Sequence, residues 1–366
     1  MIAGLRSPVL HWTGALPVMA VVLLALTWGR SLPLALIVLV SCFLAGAVLA
    51  AVHHAEVIAH RVGEPFGSLV LAVAVTIIEV ALIVTLMADG GEKSAALARD
   101  TVFAAVMITC NGIVGLCLLA GSLQRKVAVF NAEGTGAALA AVTTVAGLSL
   151  VLPTFTTSTP GPRFSTPQLI FAALAALVLY GLFVTTQTVR HRDYFLPVTT
   201  SGEVISGTDH ADPPSARTAM ASLGLLALAL VAVVGLAKAV SPAIEAGVIA
   251  AGLPSSVVGI AIALLVLLPE TIAAVRAARR DRVQTSLNLG LGSAMASIGL
   301  TIPAVALATV WLPVPLVLGL GASHMVLLAL TVTVGTLTVI PGRATPLQGG
   351  VHLALLAAYI VLAVSP

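Results

Sequence analysis

The feature that most constrains the fold of this chain is a series of long apolar stretches that follow one another along almost its whole length. A helix needs about 20 mostly apolar residues to cross the hydrocarbon core of a membrane. Only 8% of the 366 residues are charged, whereas soluble proteins carry roughly 25%. A soluble core cannot bury this much apolar surface. We therefore predict an all-α membrane protein whose main solvent is the lipid bilayer.

Charged residues, prolines and glycines divide the apolar sequence into about eleven candidate spans. The first stretch has no small-residue cleavage site followed by a polar segment, so we interpret it as a span rather than a signal peptide. The three cysteines fall in apolar stretches, without the spacing of a disulfide framework or a zinc site. The predicted spans are residues 13–29, 31–52, 65–88, 101–121, 134–152, 167–187, 218–240, 253–275, 285–310, 314–340 and 347–365.

The orientation of the spans follows from the basic residues, because cytoplasmic loops are enriched in Lys and Arg. Twelve of the 17 basic residues fall on one side of the predicted spans. The five on the other side are Arg30, Lys93, Arg99, Arg163 and Lys238. This split predicts a multi-pass inner-membrane protein with a cytoplasmic N-terminus and an external C-terminus. The net charge of +3 therefore reflects topology, and we expect no nucleic-acid partner. The sequence leaves the oligomeric state open.

A polar segment at 188–217 separates the first six predicted spans from the last five. Because five is an odd number, two successive five-span units insert in opposite orientations, a recurring plan of secondary transporters. We therefore predict two inverted five-helix repeats plus one extra N-terminal helix. The expected boundaries are 1–30 for the extra helix, 31–187 for the first repeat, 188–217 for a cytoplasmic linker and 218–366 for the second repeat.

Two carboxylates lie deep within predicted spans, Glu79 in LVLAVAVTIIEVALIVTLM and Glu270 in VVGIAIALLVLLPETIAAV. A charge at the centre of a bilayer costs roughly 3 kcal/mol on insertion scales, so such residues are rare and are usually functional. The two glutamates occupy the third and the eighth span, which are equivalent positions in the proposed repeats. Pseudo-two-fold symmetry is expected to bring them together near the membrane midplane.

Two facing carboxylates suit a hard cation, which prefers oxygen ligands and needs charge compensation. The same pair suits protons, because desolvation and mutual repulsion disfavour two ionised groups when no cation is bound. Cation and proton should therefore exclude one another, which is the minimum chemistry of an exchanger. We expect no resident cofactor, and the ligands are the transported Ca²⁺, or Na⁺ or K⁺, and H⁺.

Further oxygen ligands are expected close to the two glutamates. Pro269 removes one helical hydrogen bond next to Glu270, and we expect it to break the helix and free backbone carbonyls. The alternative for the small polar residues nearby is helix packing through interhelical hydrogen bonds. The candidate ligands are Thr76, three residues before Glu79, together with Thr109, Asn111, Ser293 and Ser297.

His53, Glu56 and His60 share one helix face by their spacing of three and four residues. This face is a candidate for pH sensing, since histidine titrates near neutral pH; a metal site and a solvated helix end are the alternatives. Glu64, at the mouth of the next span, is a candidate proton relay or a carboxylate favoured by a helix N-terminus. We interpret His324 and His352 as polar residues that pack between helices.

Three motifs resemble the bacterial calcium/proton antiporters of the ChaA type, which also exchange sodium and potassium for protons. The first is HHAEVIAHRVGEPFGSLVLAVAVTIIEVALIV, and the second is LLPETIAAVRAARRDRVQTSLNLGLGSAMASIGLTIPAVA. The third, LQGGVHLALLAAYIVL, is similar to their last span. Those antiporters belong to the calcium:cation antiporter superfamily, and the resemblance implies an eleven-span fold with two inverted repeats.

The resemblance also maps the two metal-binding glutamates of the superfamily onto Glu79 and Glu270. Many calcium/proton exchangers have the pattern GNxxE, and this chain has Thr76 and Leu267 at the two Asn positions. The resemblance therefore implies fewer side-chain oxygens around the cation than such exchangers have, which leaves the choice of cation open.

Three functional classes remain to be compared. An enzyme is disfavoured because the sequence has no nucleophile–base arrangement and no H-E-x-x-H motif. A cation channel also uses intramembrane carboxylates, but nothing in the sequence resembles a selectivity filter. We therefore predict a secondary active transporter that exchanges a metal cation, Ca²⁺ in the first place, for protons by alternating access. The alternatives are a cation channel and a monovalent-cation/proton antiporter that does not transport calcium.

Overall fold

The computed structural model describes residues 12–30, 32–63, 66–90, 95–198, 213–254, 256–312 and 315–365, and this part of the chain is helical almost throughout. Nine of its helical stretches are long and apolar enough to span a membrane, and Trp12–Thr27 and Val73–Ala88 are shorter apolar helices. These eleven elements correspond one to one with the predicted spans. The fold is thus the all-α membrane architecture that the apolar pattern predicts.

The helices follow one another along the chain in two groups of five, with one helix before them. The first repeat is formed by α2 (Leu34–Val62), α3 (Phe66–Gly90), α4 (Leu97–Met107) with α5 (Val114–Arg125), α6 (Ala132–Ala146) with α7 (Leu152–Phe155), and α8 (Thr166–Thr185), preceded by α1 (Trp12–Thr27). The second repeat is formed by α9 (Ala216–Ala250), α10 (Ser256–Arg279), α11 (Val283–Ala308), α12 (Ala322–Val339) and α13 (Pro346–Val364). A short ladder pairs β1 (Ala128–Val129) antiparallel with β2 (Arg343–Ala344).

Some helix ends differ from the sequence prediction. Helix α2 continues to Val62 rather than ending at residue 52, because the polar residues that follow extend the helix into the interface without breaking it. Helix α9 continues to Ala250 rather than ending at residue 240, and Pro242 lies inside it. Helix α12 begins at Ala322 rather than at 314. The preceding segment is extended, and its backbone N–H groups at Val317 and Gly319 donate to the carbonyls of Ala95 and Pro162.

The irregular backbone lies elsewhere than expected. Helix α10 continues through Pro269, so the predicted break beside Glu270 is wrong. The hydroxyl of Thr271 donates to the Leu267 carbonyl at 2.7 Å. The carbonyl that Pro269 leaves without its helical donor is a different one, that of Leu265, four residues earlier. Irregular backbone is found instead in π turns of the first repeat, at Ile108–Ile113 between α4 and α5, at Gly147–Val151 and at Thr186–Arg190. The first of these is called the π turn below. Such π turns are frequent at functional sites.

The fifth helices of the two repeats begin in the same way. The Gln168 side chain accepts from the Ser165 backbone N–H at 2.9 Å, and the Gln348 side chain accepts from the Thr345 N–H at 2.8 Å. A proline follows each cap, and a buried tyrosine lies 13 residues after each proline, at Tyr180 and Tyr359. Helix α8 packs against α11, and α13 packs reciprocally against α5. The swapped pairing is the pattern expected of two inverted repeats.

The helices form two compact units. The first unit consists of Met1–Asp89 and Asp209–Ala251, and the second consists of Gly90–Thr208 and Gly252–Pro366. In the first unit, α2 packs along α9, and α1 contacts both of them. In the second unit, α10 packs against α4, the π turn, α5 and α11. Each unit therefore draws helices from both repeats.

Glycines set the close packing of α13 against α5 in the second unit. A Cβ atom added at Gly349 would lie 2.8 Å from the Leu119 backbone nitrogen and 2.9 Å from the Gly115 carbonyl oxygen. A Cβ added at Gly115 would meet the Cβ of His352 at 3.0 Å. Only glycine allows the two backbones to approach this closely, as is common between membrane helices. The close approach brings His352 against the π turn.

Candidate cation site

Glu79 lies within α3 of the first unit and is buried, with 3% of its surface exposed. Thr76, one helical turn earlier, is buried as well. The surrounding sequence is mostly apolar. An ionised carboxylate in such a position is stable only when a counter-charge or hydrogen bonds replace water. The burial of Glu79 agrees with its predicted position deep within a span.

Glu270 lies within α10 of the second unit and is 9% exposed. Apolar residues on the same helix, Val266, Leu267 and Ala274, are buried with it. Through α10, Glu270 belongs to a helix that contacts α4, the π turn and α11. The second carboxylate thus lies on a helix packed against the irregular turn of the first repeat, in the interior of its own unit.

Asn111 is fully buried in the π turn, where both ends of its amide are hydrogen bonded within the second unit. Its Nδ2 lies 2.9 Å from the Thr331 hydroxyl, and its Oδ1 lies 3.2 Å from His352 Nδ1. The predicted ligand oxygen of Asn111 is therefore engaged by His352. The neighbouring Thr109 is buried too, and its hydroxyl donates to the Ala105 carbonyl at 2.7 Å.

The two candidate serines lie on α11, one helical turn apart. Ser297 is buried and Ser293 is half-buried. Because α11 packs along α10 within the second unit, both serines lie on the helix next to that of Glu270. Their hydroxyls are neutral oxygens, the kind of group that completes the coordination of a hard cation beside carboxylates.

The face formed by His53, Glu56 and His60 is exposed on α2, as its spacing predicts. Among the described residues, no three His, Cys, Asp or Glu side chains are grouped so that they could hold a metal ion, so the metal alternative for this face has no structural support. Glu56 interacts electrostatically with both histidines. A role of this face in pH sensing stays a prediction. Glu64, the candidate proton relay, lies outside the described residues.

Two buried histidines are more informative than the exposed ones. His54 is 1% exposed, and its ring joins α2 to Thr13 of α1 and Ser222 of α9. His352 is 2% exposed and joins α13 to the π turn and to α12. One sequence signal points to the turn that His352 contacts, because the pair Asn111–Gly112 in the middle of an apolar span is typical of irregular backbone.

Comparisons with known proteins agree with this architecture. The sequence model of a family described as sodium/calcium exchanger protein matches residues 32–189 and 221–365. The chain is 47% identical over 362 residues to a protein described as putative ionic transporter y4hA of Sinorhizobium fredii, covering 97% of this chain and 96% of the relative. It is 35% identical to the sodium-potassium/proton antiporter ChaA of Escherichia coli over 353 residues, covering 94% of each chain.

Solved structures show the same fold. The native structure of YfkE superposes with a TM-score of 0.70 at 15% sequence identity, covering 96% of this chain and 98% of that one. The H⁺/Ca²⁺ exchanger CAX superposes with a TM-score of 0.69 at 16% identity, covering 96% of this chain and 91% of that one. At such low identity, these structures establish the fold and not the transported ion.

Proposed function

The chain belongs to the sodium/calcium exchanger protein family, and we propose that it exchanges calcium for protons at one site that contains Glu79 and Glu270. The family consists of cation exchangers, so the general activity is secondary transport and not catalysis. The proposal adds the ion, the coupling to protons and the two residues that bind both.

The observation that carries the proposal is the burial of one carboxylate in the equivalent helix of each repeat. Glu79 and Glu270 are both buried in otherwise apolar surroundings. Carboxylates within the membrane are costly to insert and are usually functional. The two glutamates occupy equivalent helices of the two repeats, and this equivalence supports a cation site that they share. Thr76 and Ser297 are proposed as neutral oxygen ligands, together with Ser293 and the backbone of the π turn.

Charge counting favours calcium as the cation. One divalent ion neutralises two carboxylates, whereas a monovalent ion leaves one negative charge uncompensated unless a proton remains. Loss of the cation leaves two desolvated like charges, which are relieved by protonation. Cation release and proton binding are therefore two halves of one cycle, with alternating access carrying each ligand across the membrane.

A monovalent-cation/proton exchange is the second candidate, and a relative favours it. The Escherichia coli protein that shares 35% identity is a sodium-potassium/proton antiporter by its description. Thr76 and Leu267 occupy the positions at which many calcium/proton exchangers have asparagine, so this chain has one hydroxyl in place of two amide oxygens. Fewer neutral oxygens lower the affinity for calcium. The two candidates differ in which ion drives proton movement, and not in the residues that bind it.

The location of the protein follows the same argument. We propose an inner-membrane protein with a cytoplasmic N-terminus, a cytoplasmic segment at 188–217 and an external C-terminus, supported by the distribution of basic residues. The proposed organisation keeps an extra helix at 1–30 and repeats at 31–187 and 218–366. The partners are the lipid bilayer, the transported cation and protons.

Purified protein reconstituted into sealed vesicles tests the function directly. An outward calcium gradient should drive proton movement in the opposite direction, and the coupling should persist when the membrane potential is clamped. The same measurement with sodium and potassium compares the two candidates. Calcium movement without opposite proton movement would indicate a channel and contradict the proposal. Proton movement driven by sodium or potassium but not by calcium would show that the exchanger transports a monovalent cation instead of calcium.

A further inference from the structure

A directed chain of hydrogen bonds connects the π turn to α12 and α13 inside the second unit. The Thr331 hydroxyl donates to the Leu327 carbonyl at 2.8 Å, because a carbonyl oxygen can only accept. Its oxygen is then left to accept from Asn111 Nδ2 at 2.9 Å. This arrangement fixes the orientation of the Asn111 amide and turns its Oδ1 towards His352.

The same logic fixes the tautomer of His352. Since Asn111 Oδ1 can only accept, the hydrogen in this contact is on His352 Nδ1, 3.2 Å away. The other ring nitrogen, Nε2, is then the acceptor and faces the Thr338 hydroxyl at 3.2 Å. All four side chains are buried: Asn111, Thr331, Thr338 and His352. The ring of His352 also has the backbone of Cys110, in the same π turn, as a hydrogen-bond partner. Both acceptors in the turn require a donor on the ring, so the imidazole has a defined structural role.

The surroundings of these hydrogen bonds argue against a proton path through His352. A small cavity adjoins the ring, but its surface consists of apolar atoms, and apolar cavities of this size do not favour water. The hydrogen bonds end at a helix carbonyl and not at solvent. A closed chain of this kind holds groups in place, and buried networks that are fully satisfied make their surroundings rigid.

The hydrogen bonds hold the π turn in place, and the π turn contacts α10, which carries Glu270. Building on the proposed function, we propose that His352 is a positioning residue for cation binding: by donating from Nδ1 to Asn111, it fixes the π turn Ile108–Ile113 against the helix of Glu270. His352 does not contact the cation in this proposal. Its effect reaches the ion only through Asn111 and the backbone of the turn.

Substitutions at His352 can separate the two hydrogen bonds of the ring. In His352→Asn, the amide nitrogen is attached to Cγ, as Nδ1 is in histidine, so the donor to Asn111 is retained. In His352→Gln, the amide is attached one carbon further from the backbone, so it replaces Nε2 and bonds the Thr338 hydroxyl instead of Asn111. His352→Leu removes both hydrogen bonds and also the contact of the ring with the Cys110 backbone. Thr338→Val is the matched control, because it removes the second hydrogen bond of His352 and leaves the bond to Asn111 intact.

The measurement is the calcium dependence of proton-coupled exchange in proteoliposomes. Losing a buried hydrogen bond and leaving its partner unsatisfied should raise the KM for calcium about tenfold in His352→Leu and His352→Gln. The maximal rate should stay within about twofold, and His352→Asn and Thr338→Val should keep a wild-type KM. Asn111→Leu combined with His352→Leu should raise the KM by less than the product of the two single effects, because both changes remove the shared bond between His352 and Asn111.

Several results would overturn the proposal. One is a wild-type KM in His352→Leu, and another is an equal loss in His352→Asn and His352→Leu. A fall in maximal rate with unchanged KM in all variants would indicate a merely structural role. If His352→Leu does not fold, as judged by yield and melting temperature in detergent, the comparison of His352→Asn with His352→Gln decides the question.

A second measurement separates this proposal from the proposed function. Hydrogen exchange over 108–113 should be faster in His352→Gln than in His352→Asn, whichever ion the protein transports. If wild-type protein moves no calcium but shows this difference, the ion assignment fails and the role of His352 in holding the turn stands. Equal exchange in the two variants would show that the bond to Asn111 does not hold the turn.

Discussion

The carbonyl oxygen of Thr13 accepts a hydrogen bond from His54 Nε2 at 2.9 Å, at a point where its own helix offers no donor. The residue four positions later is Pro17, which has no N–H group. The other ring nitrogen, Nδ1, accepts from the Ser222 hydroxyl at 3.3 Å. One imidazole on α2 thereby ties the extra N-terminal helix and α9 to the first helix of the first repeat.

This relationship predicts the effect of His54→Leu on stability. The change leaves the Thr13 carbonyl and the Ser222 hydroxyl buried without their partner, which should lower the free energy of unfolding by about 1–3 kcal/mol. The melting temperature of the purified protein in detergent is the measurement. The matched control is His53→Leu, since His53 is the neighbouring residue and is exposed. Equal melting temperatures for the two variants would contradict the role of His54.

The proline adds a coupled prediction. Pro17→Ala restores a backbone N–H that can bond the Thr13 carbonyl within α1, so His54 is no longer its sole donor. The destabilisation caused by His54→Leu should therefore be smaller in the Pro17→Ala background. Melting curves of the two single variants and the double variant give the coupling energy. Strictly additive effects would show that Pro17 does not create the need for His54.

Neighbouring glycines in α13 test the close packing of α13 against α5. Gly349→Ala places a Cβ within 3 Å of backbone atoms of Leu119 and Gly115, which cannot move without shifting α5. Gly350→Ala meets nothing within 4 Å. We expect the first change to destabilise by about 1–3 kcal/mol through overpacking. The second should be neutral or slightly stabilising, because alanine favours a helix over glycine. Melting temperatures that rank the two variants in the opposite order would show that the helices are not held at this distance.

The two glutamates predict a clear loss of function. Glu79→Gln and Glu270→Gln keep the volume of the side chain but can neither hold a negative charge nor release a proton. Each should abolish cation–proton exchange in proteoliposomes while the protein still inserts and purifies. Glu133→Gln is the matched control, because Glu133 is exposed at the start of α6. Wild-type exchange in either buried variant would remove that glutamate from the mechanism.

Much of this architecture could be read from the sequence because its signals are local. Apolar stretches of span length predict the eleven helices, and a carboxylate in the middle of such a stretch is conspicuous, as at Glu79 and Glu270. The π turn and the role of His352 could not be predicted in this way. The His352–Asn111 contact joins residues 241 positions apart, and neither residue differs in type from an ordinary polar residue between helices.

The error at Pro269 has a different origin. Proline removes a hydrogen bond wherever it occurs, and the sequence alone does not show whether neighbouring groups compensate. Helix α10 continues without a break through Pro269. The π turn at Ile108–Ile113 lies in a different span. The expected break beside Glu270 is therefore wrong, because α10 continues through Pro269.

The most direct test of a shared cation and proton site is the apparent calcium affinity of reconstituted wild-type protein across a series of pH values. If calcium must displace protons from Glu79 and Glu270, its affinity should rise with pH by about tenfold per pH unit for each proton displaced. The rise should end in a plateau where both carboxylates are ionised without calcium. A calcium affinity that does not change across the pH range would contradict the shared site, even if calcium transport itself were observed.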